Sequence, residues 1–162
     1  MSMKKRDEEK QIIFESLKES LLILLNDYQF EKITVSQLVK KAGIARSTFY
    51  HYFSDKINLI RFLVQQNLNG FDQKYHPDTI EERYQKKYIR EVWYYLLQDK
   101  EAVIKLYQAG LSYIYLEEMN KHLLSLYPYR LTTDEKINLL GLAGAQYNII
   151  FNLFVPQHLK DL

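Results

Sequence analysis

Basic and hydroxyl side chains that could bind an anion are concentrated between Lys32 and Lys56. This segment holds five basic residues and one acid, Asp55, whereas residues 57–162 carry 12 basic and 12 acidic side chains. The net charge of the 162 residues is only +2, which is too small by itself to indicate a polyanionic partner. Because ammonium and guanidinium groups neutralise phosphates and hydroxyls hydrogen-bond to them, the local excess predicts that this segment contacts nucleic acid.

Four residues of this segment suit the two kinds of contact that proteins make with DNA. Arg46 lies where a long cationic side chain can extend beyond a helix end to O6 and N7 of a guanine in the major groove. Thr34, Tyr50 and Lys56 are spaced to hydrogen-bond to phosphates or to neutralise them, contacts that fix orientation without reading sequence. These positions predict base recognition and backbone anchoring together.

Residues 46–53 must form the helix that presents these groups. Successive helical residues turn by about 100°, so Phe49 and Phe53 share one face. Tyr50 and His51 point away from that face. An aromatic run of this kind is usually core, and packing alone accounts for the two phenylalanines. It does not account for polar side chains beside a local basic excess.

The elements before this helix have clear start and stop signals. Thr34-Val-Ser-Gln37 has the form of a capping box, in which Thr34 accepts from the third amide and Gln37 reaches back. The short helix that follows ends at Gly43, which can take the left-handed conformation. An earlier amphipathic helix is predicted over residues 7–28, with acids in its first turn. A short helix, a glycine turn and another short helix form a helix-turn-helix.

The segment Ile33–Lys56 resembles the DNA-binding segment of TetR-family transcription regulators, and the likeness extends over residues 10–60. The positions that match the family pattern are Gly43, Phe49, Tyr50, Tyr52, Phe53 and Lys56. The resemblance implies that the DNA-facing residues are Thr34, Ser36, Arg46, Ser47, Thr48, Tyr50, His51, Tyr52 and Lys56. Ala45 departs from the pattern, because the family often has Ser or another capping residue there. The helix over residues 46–53 is the recognition helix of this motif. Without a side-chain cap its stability is lower by about 1 kcal/mol, unless the turn before it compensates.

Few residues in this chain break helices: it has 5 Gly and 3 Pro, and 47% of its residues are hydrophobic. Apolar residues recur at helical spacing through the second half of the sequence. The helices predicted there are residues 79–98, 100–109, 111–127 and 133–154. We predict an all-α protein, with a helix-turn-helix DNA-binding domain over residues 1–56 continuous with a helical regulatory and dimerisation domain over residues 57–162.

The last predicted helix is apolar around much of its circumference. Such a helix must be buried on two sides, of which one can be its own domain and the other a second copy of the chain. Gly141, Gly144 and Ala145 would allow that copy to approach closely. We predict a homodimer through this helix, and the alternative is a central helix in a monomeric bundle.

Tyrosines are abundant between residues 84 and 127. Several facing inward would bond to one another or line a cavity, because each buried hydroxyl needs a partner. Those that fall on the inward stripes of their helices are Tyr88, Tyr95, Tyr107 and Tyr113. They predict a binding site for a small aromatic or apolar effector, and the alternative is that they are ordinary packing residues.

Other chemistry finds little support in this sequence. It has no Cys, which excludes disulfides, thiolate metal sites and cysteine nucleophiles. The four His are far apart and none has a partner at metal-ligand spacing. No phosphate-binding loop or nucleophile elbow occurs. We therefore expect no metal, no cofactor and no enzymatic activity.

The sequence also predicts where the protein works. No run approaches 18 consecutive apolar residues. The basic residues near the start are followed by acids rather than by an apolar signal core. We expect no membrane segment and a cytoplasmic protein.

These features predict a DNA-binding transcriptional regulator. The interpretation favoured is a repressor that binds a pseudo-palindromic site on double-stranded DNA as a homodimer and responds to a small-molecule effector. The alternative is a coregulator or activator that acts through a protein partner without a ligand of its own. An enzyme acting on an aromatic molecule would need an acid or base of perturbed pKa in a pocket, and the sequence identifies none.

Overall fold

The computed structural model describes residues 3–160, which are helical with short connections and include no β-strand. The all-α prediction is therefore confirmed for this part of the chain. The chain divides into two compact units, Met1–Ile60 and Arg61–Leu162. The domain boundary predicted from the sequence lies instead after residue 56, where α4 (Lys56–Lys74) begins.

The first unit is a helical module built on an apolar core. It contains α1 (Met3–Asp27), a 3₁₀ turn (Phe30–Lys32), α2 (Val35–Ala42), α3 (Arg46–Tyr52) and the start of α4. The helix α1 begins earlier than the predicted residue 7, so no acid lies in its first turn. The buried side chains at the centre are Phe14, Leu17, Leu21, Ile33, Leu38, Phe49 and Phe53.

The second unit consists of helices joined by tight turns. After α4 come a 3₁₀ turn (Glu81–Tyr84), α5 (Lys86–Leu96), a 3₁₀ turn (Leu97–Asp99), α6 (Lys100–Gln108), α7 (Tyr113–Ser125), α8 (Thr133–Ile149), a π-helical segment (Ile150–Phe154) and α9 (Val155–Lys160). One helix was predicted over residues 79–98, but the chain forms a separate 3₁₀ turn before α5 starts at Lys86.

The packing of α7 against α8 forms an apolar core in the second unit. Its buried members are Ile80, Met119, Leu123, Leu131, Leu139, Leu142 and Ala143. The start of α8 is fixed by a capping box in which Thr132 accepts from the Glu135 amide, and the Glu135 carboxylate accepts from the Thr132 amide. At the other end, the ring of Phe154 meets Trp93 of α5 with the centroids 3.6 Å apart.

The described residues include one helical run, Thr133–Gln157, whose length and apolar composition would allow it to cross a bilayer. Of the most apolar 18-residue stretch within this run, 39% is buried inside the protein. Since core helices of soluble proteins meet the same criterion, this run is weak evidence for a membrane segment.

Candidate functional site

The start of α2 is held by the capping box that the sequence predicts. The Gln37 amide donates to Thr34 Oγ1 over 3.2 Å, and the Thr34 amide donates to Gln37 Oε1 over 2.7 Å. The Thr34 hydroxyl also donates to Gln37 Oε1, at 2.8 Å. The Thr34 side chain is therefore occupied within its own cap, and a phosphate contact would have to share or replace that bond.

The turn from α2 to α3 has the predicted glycine conformation. Gly43 has φ +68°, and its amide donates to the Val39 carbonyl as α2 ends. Ala45 stands at the N-cap of α3 without a side-chain hydrogen bond, as its departure from the family pattern predicts. Phe49 is fully buried, and it fixes α3 on the core with its polar side facing outward.

The outward side of α3 places Arg46 between two hydroxyl groups. Its guanidinium donates to Tyr50 Oη over 3.4 Å and to Ser36 Oγ over 3.5 Å. The guanidinium carbon also lies 5.5 Å from the centre of the Tyr50 ring, within the range of a cation–π contact. Three residues predicted separately therefore form one exposed group that joins α2 to α3.

The predicted DNA-facing residues differ in exposure. The exposed ones are Thr34, Ser36, Arg46, Ser47, Tyr50 and His51, and the half-buried ones are Thr48, Tyr52 and Lys56. The Tyr52 ring packs edge-on against Phe14 of α1, with the centroids 5.2 Å apart. It also meets the His51 ring at 4.7 Å. Tyr52 thus takes part in packing of the first unit as well as bordering its outer face.

Lys56 occupies a different environment from the one its predicted phosphate contact requires. Its ammonium donates to the Phe30 carbonyl over 2.7 Å and also to the Ile33 carbonyl. It lies 4.4 Å from the centre of the Phe30 ring. Burial lowers the pKa of Lys56, an effect that the nearby Glu31 charge partly opposes. Here Lys56 ties the start of α4 to the segment between α1 and α2, and this tie leaves it less free to reach a phosphate.

The second unit contains a cavity of about 30 Å³ with mainly apolar walls. Tyr88 and Tyr95, two of the predicted ligand-binding tyrosines, line it. The other lining residues are Asn67, Leu68, Phe71, Asp72, Val92, Leu96, Met119, His122, Leu123 and Gln146. Burial raises the pKa of Tyr88 to about 12, although the neighbouring Arg83 charge opposes the rise.

The structure does not bring all four predicted tyrosines together. Tyr107 stacks on Phe151 with the centroids 6.2 Å apart, away from this cavity. Tyr113 is 44% exposed at the first position of α7. Tyr88 and Tyr95 therefore share one cavity, whereas Tyr107 and Tyr113 lie outside its lining. On α7, Ile114 and Tyr115 are the residues that turn inward.

The second unit contains two buried polar clusters that no pattern in the sequence indicates. Arg83, 4% exposed, donates to Tyr127 Oη over 2.9 Å and to Tyr88 Oη over 2.6 Å. Its guanidinium also lies 3.7 Å from the Asp72 carboxylate, which pairs with His122. These residues lie up to 55 positions apart in the sequence, so no local spacing indicates that they meet.

The second cluster surrounds the buried carboxylate of Glu118. Arg61, Gln65 and Lys121 donate to it over 2.6, 2.7 and 2.8 Å. Burial favours a higher pKa for Glu118, but the three hydrogen bonds outweigh it and the pKa is lowered. The carboxylate is charged at neutral pH and fully paired, which suits a structural role.

A capped helix, a left-handed glycine turn and a second helix with an exposed polar side make the first unit a helix-turn-helix DNA-binding domain. Residues 21–61 match the model of the bacterial regulatory proteins of the tetR family. The first unit is therefore a tetR-type DNA-binding domain over these residues, as the resemblance in its sequence implies.

A protein sequence and a solved structure are each similar to this chain. The uncharacterized HTH-type transcriptional regulator YxbF of Bacillus subtilis (strain 168) is 33% identical over 69 residues. That match covers 40% of this chain and only 18% of the relative's length. The solved structure of the dihydroxyacetone kinase operon activator DhaS aligns with a TM-score of 0.49 and 17% identity. The alignment covers 86% of this chain and 85% of that one.

Proposed function

We propose that this regulator is a repressor that binds a pseudo-palindromic operator as a homodimer and is released by a small-molecule effector. The observation that supports it most is the exposed group of Arg46, Tyr50 and Ser36 on the helix-turn-helix. A guanidinium in this position can donate two hydrogen bonds to one guanine, the commonest specific contact in protein–DNA complexes. A cytoplasmic, non-enzymatic role follows from this function.

The exposed side of α8 supports the homodimer. One side of this helix is buried through Leu139, Leu142 and Ala143, while Ile137 is 61% exposed on another. Gly141 and Ala145 are exposed on the same side as Ile137. A Cβ added at Gly141 would meet no atom within 4 Å beyond the backbone of its own helix. A second copy could therefore bring its backbone close to α8, which suits helix packing between protomers better than a monomeric bundle does.

The cavity beside Tyr88 and Tyr95 supports effector control. Its walls are mainly apolar with a few polar groups, the usual composition of small-molecule sites. A bound molecule shifts DNA affinity only as far as it prefers one arrangement of the two DNA-binding domains over another. We expect the effector to lower operator affinity while the protein stays dimeric.

Selection from random duplex DNA tests this function directly. The purified protein is incubated with a random library, and the bound fraction is amplified and sequenced. An inverted repeat whose half-sites lie about 34–36 Å apart, one turn of DNA, is expected because each protomer presents one recognition helix. Binding should weaken steeply as salt rises, since phosphate contacts release counterions. Enrichment of no sequence, or of an unrepeated half-site only, would contradict the proposal.

The alternative of a coregulator that docks on a protein makes a different prediction in the same assay. Such a protein would bind duplex DNA without sequence preference or not at all. Docking through apolar faces would also keep its strength as salt rises, so the salt slope separates the two functions.

A further inference from the structure

Two buried amide groups in the wall of the cavity lack hydrogen-bond partners. Asn67 Oδ1, on α4, and Gln146 Nε2, on α8, are both shielded from solvent with no partner within the described residues. Both residues line the cavity, and Gln146 is only 3% exposed. A buried polar atom without a partner costs free energy, so the pair indicates a polar group that is supplied from outside the chain, either water or a ligand.

Three other polar residues of the wall, Asp72, Tyr88 and His122, are already paired. Asp72 contacts Arg83 and His122 through its two carboxylate oxygens. Tyr88 Oη accepts a hydrogen bond from Arg83. The charges at the wall therefore compensate each other, and none of these described groups needs a counter-ion from a ligand. Among the solvent-shielded polar atoms of the wall, those left without a partner are the acceptor Asn67 Oδ1 and the donor Gln146 Nε2.

We infer that the cavity binds a small uncharged molecule that both donates and accepts hydrogen bonds, such as a carboxamide or an alcohol with a short apolar body. This inference rests on the proposed effector control and adds the chemical class of the effector. The donor of the ligand would pair with Asn67 Oδ1 and its acceptor with Gln146 Nε2. The apolar body would lie against Leu68, Val92 and Met119.

The size of the cavity limits the ligand further. A volume of about 30 Å³ accepts about two water-sized groups as it stands, since one such group needs about 10–15 Å³. A ligand of a few heavy atoms must therefore displace part of the wall. The half-buried ring of Tyr95 borders the cavity. We expect such a ligand to displace this ring, which moves as one body. Large aromatic effectors fit this site less well than small polar ones.

The test compares three probes of similar size on the full chain. Propionamide donates and accepts, butanone only accepts, and propionate is charged. Titrations are followed through the side-chain NH₂ signals of Asn67 and Gln146 in ¹H–¹⁵N NMR spectra, assigned with the variants Asn67→Leu and Gln146→Leu. Propionamide is expected to shift both signals and to saturate, with butanone weaker and propionate without effect.

The variants provide the matched control. Each replaces an unpartnered amide by an apolar side chain of similar size, so the variant should fold with an unchanged or higher melting temperature. Each should nevertheless bind propionamide at least about tenfold more weakly, because one hydrogen bond to the ligand is lost. If a variant fails to fold, the other variant and the wild-type probe series decide the question.

Two results would overturn the inference: equal binding of propionamide and propionate, or propionamide binding that both leucine variants leave unchanged. Absence of saturable propionamide binding to wild type would overturn it as well. Operator selection with the same preparation is scored separately. A protein that selects an inverted repeat but binds no probe contradicts the ligand class alone, whereas one that selects no DNA contradicts the proposed function.

Discussion

Arg46 and Tyr50 are one helical turn apart on α3, and the guanidinium of the first donates to the hydroxyl of the second over 3.4 Å. Both side chains are exposed, so this contact does not serve the core. Its effect is to hold the arginine in one region of space before DNA arrives. A side chain ordered in advance loses less conformational entropy when it binds.

Replacing Arg46 should therefore affect specific binding more than general binding. We expect Arg46→Ala to weaken the selected operator by about 1–3 kcal/mol and to relax the preference at one position of each half-site. Lys41→Ala removes the same charge from an exposed site on α2 and serves as the control. Fluorescence anisotropy with operator and random duplexes measures both. Equal losses on the two duplexes for Arg46→Ala would show that the residue contacts phosphate only.

Loss of the Lys56 ammonium should lower stability even without DNA. In Lys56→Met the carbonyls of Phe30 and Ile33 lose their donor, and we expect the free energy of unfolding to fall by about 1–3 kcal/mol. Urea unfolding of the free protein measures the change, with Lys41→Met as the exposed lysine control. A phosphate-binding lysine without a structural role would instead leave unfolding unchanged and reduce the salt slope of DNA binding.

The dimer can be tested at Gly141 without disturbing the protomer. Since a Cβ there meets no atom within 4 Å beyond the backbone of its own helix, Gly141→Ala should stabilise α8 by about 1 kcal/mol. Gly141→Arg should fold but give monomers in analytical ultracentrifugation and lose operator binding. The exposed Gln108 provides the control, Gln108→Arg. A charge at Ile150 would be unsuitable for this test, because that side chain is buried within the protomer.

Gly70 and Tyr95 should show strong coupling in a double-mutant cycle. A Cβ at residue 70 would lie 2.2 Å from Tyr95 Oη, so Gly70→Ala must push the ring aside at a cost of about 1–3 kcal/mol. Tyr95→Phe removes the clashing oxygen and should recover much of that loss. Chemical unfolding of the two single variants and the double variant measures the coupling. Strictly additive effects would show that the ring already moves freely.

Acid should weaken the second unit through Glu118. Its pKa is lowered in the folded protein from the ordinary value of 4.5, so its contribution is complete above pH 4.5 and is lost as pH falls through the folded-state pKa. We expect Glu118→Gln to lower the free energy of unfolding at pH 7 by about 1–3 kcal/mol. The difference from wild type should shrink as the pH is lowered below 4.5. A difference that stays constant with pH would contradict an ionic role.

Features set by neighbouring residues could be predicted from the sequence, while those set by distant ones could not. The Thr34 cap, the Gly43 turn and the buried Phe49 each follow from spacings within a few residues. The placement of Lys56 depends on carbonyls more than 20 positions away. Tyr113 was misjudged because a small error in the phase of a helix turns a side chain from the core to the surface.

The contact between Trp93 and Phe154 gives this protein an optical probe of its own. Trp93 is the single tryptophan of the chain, so tryptophan emission, excited selectively over that of the tyrosines, comes from one position. Its ring touches the segment that directly follows α8. The helix α8 itself carries Gln146 and the exposed Gly141. Emission intensity will therefore register any separation of α5 from the end of that helix. Ligand-induced and association-induced movements become observable in the unlabelled protein at submicromolar concentration, without a fluorophore that could disturb them.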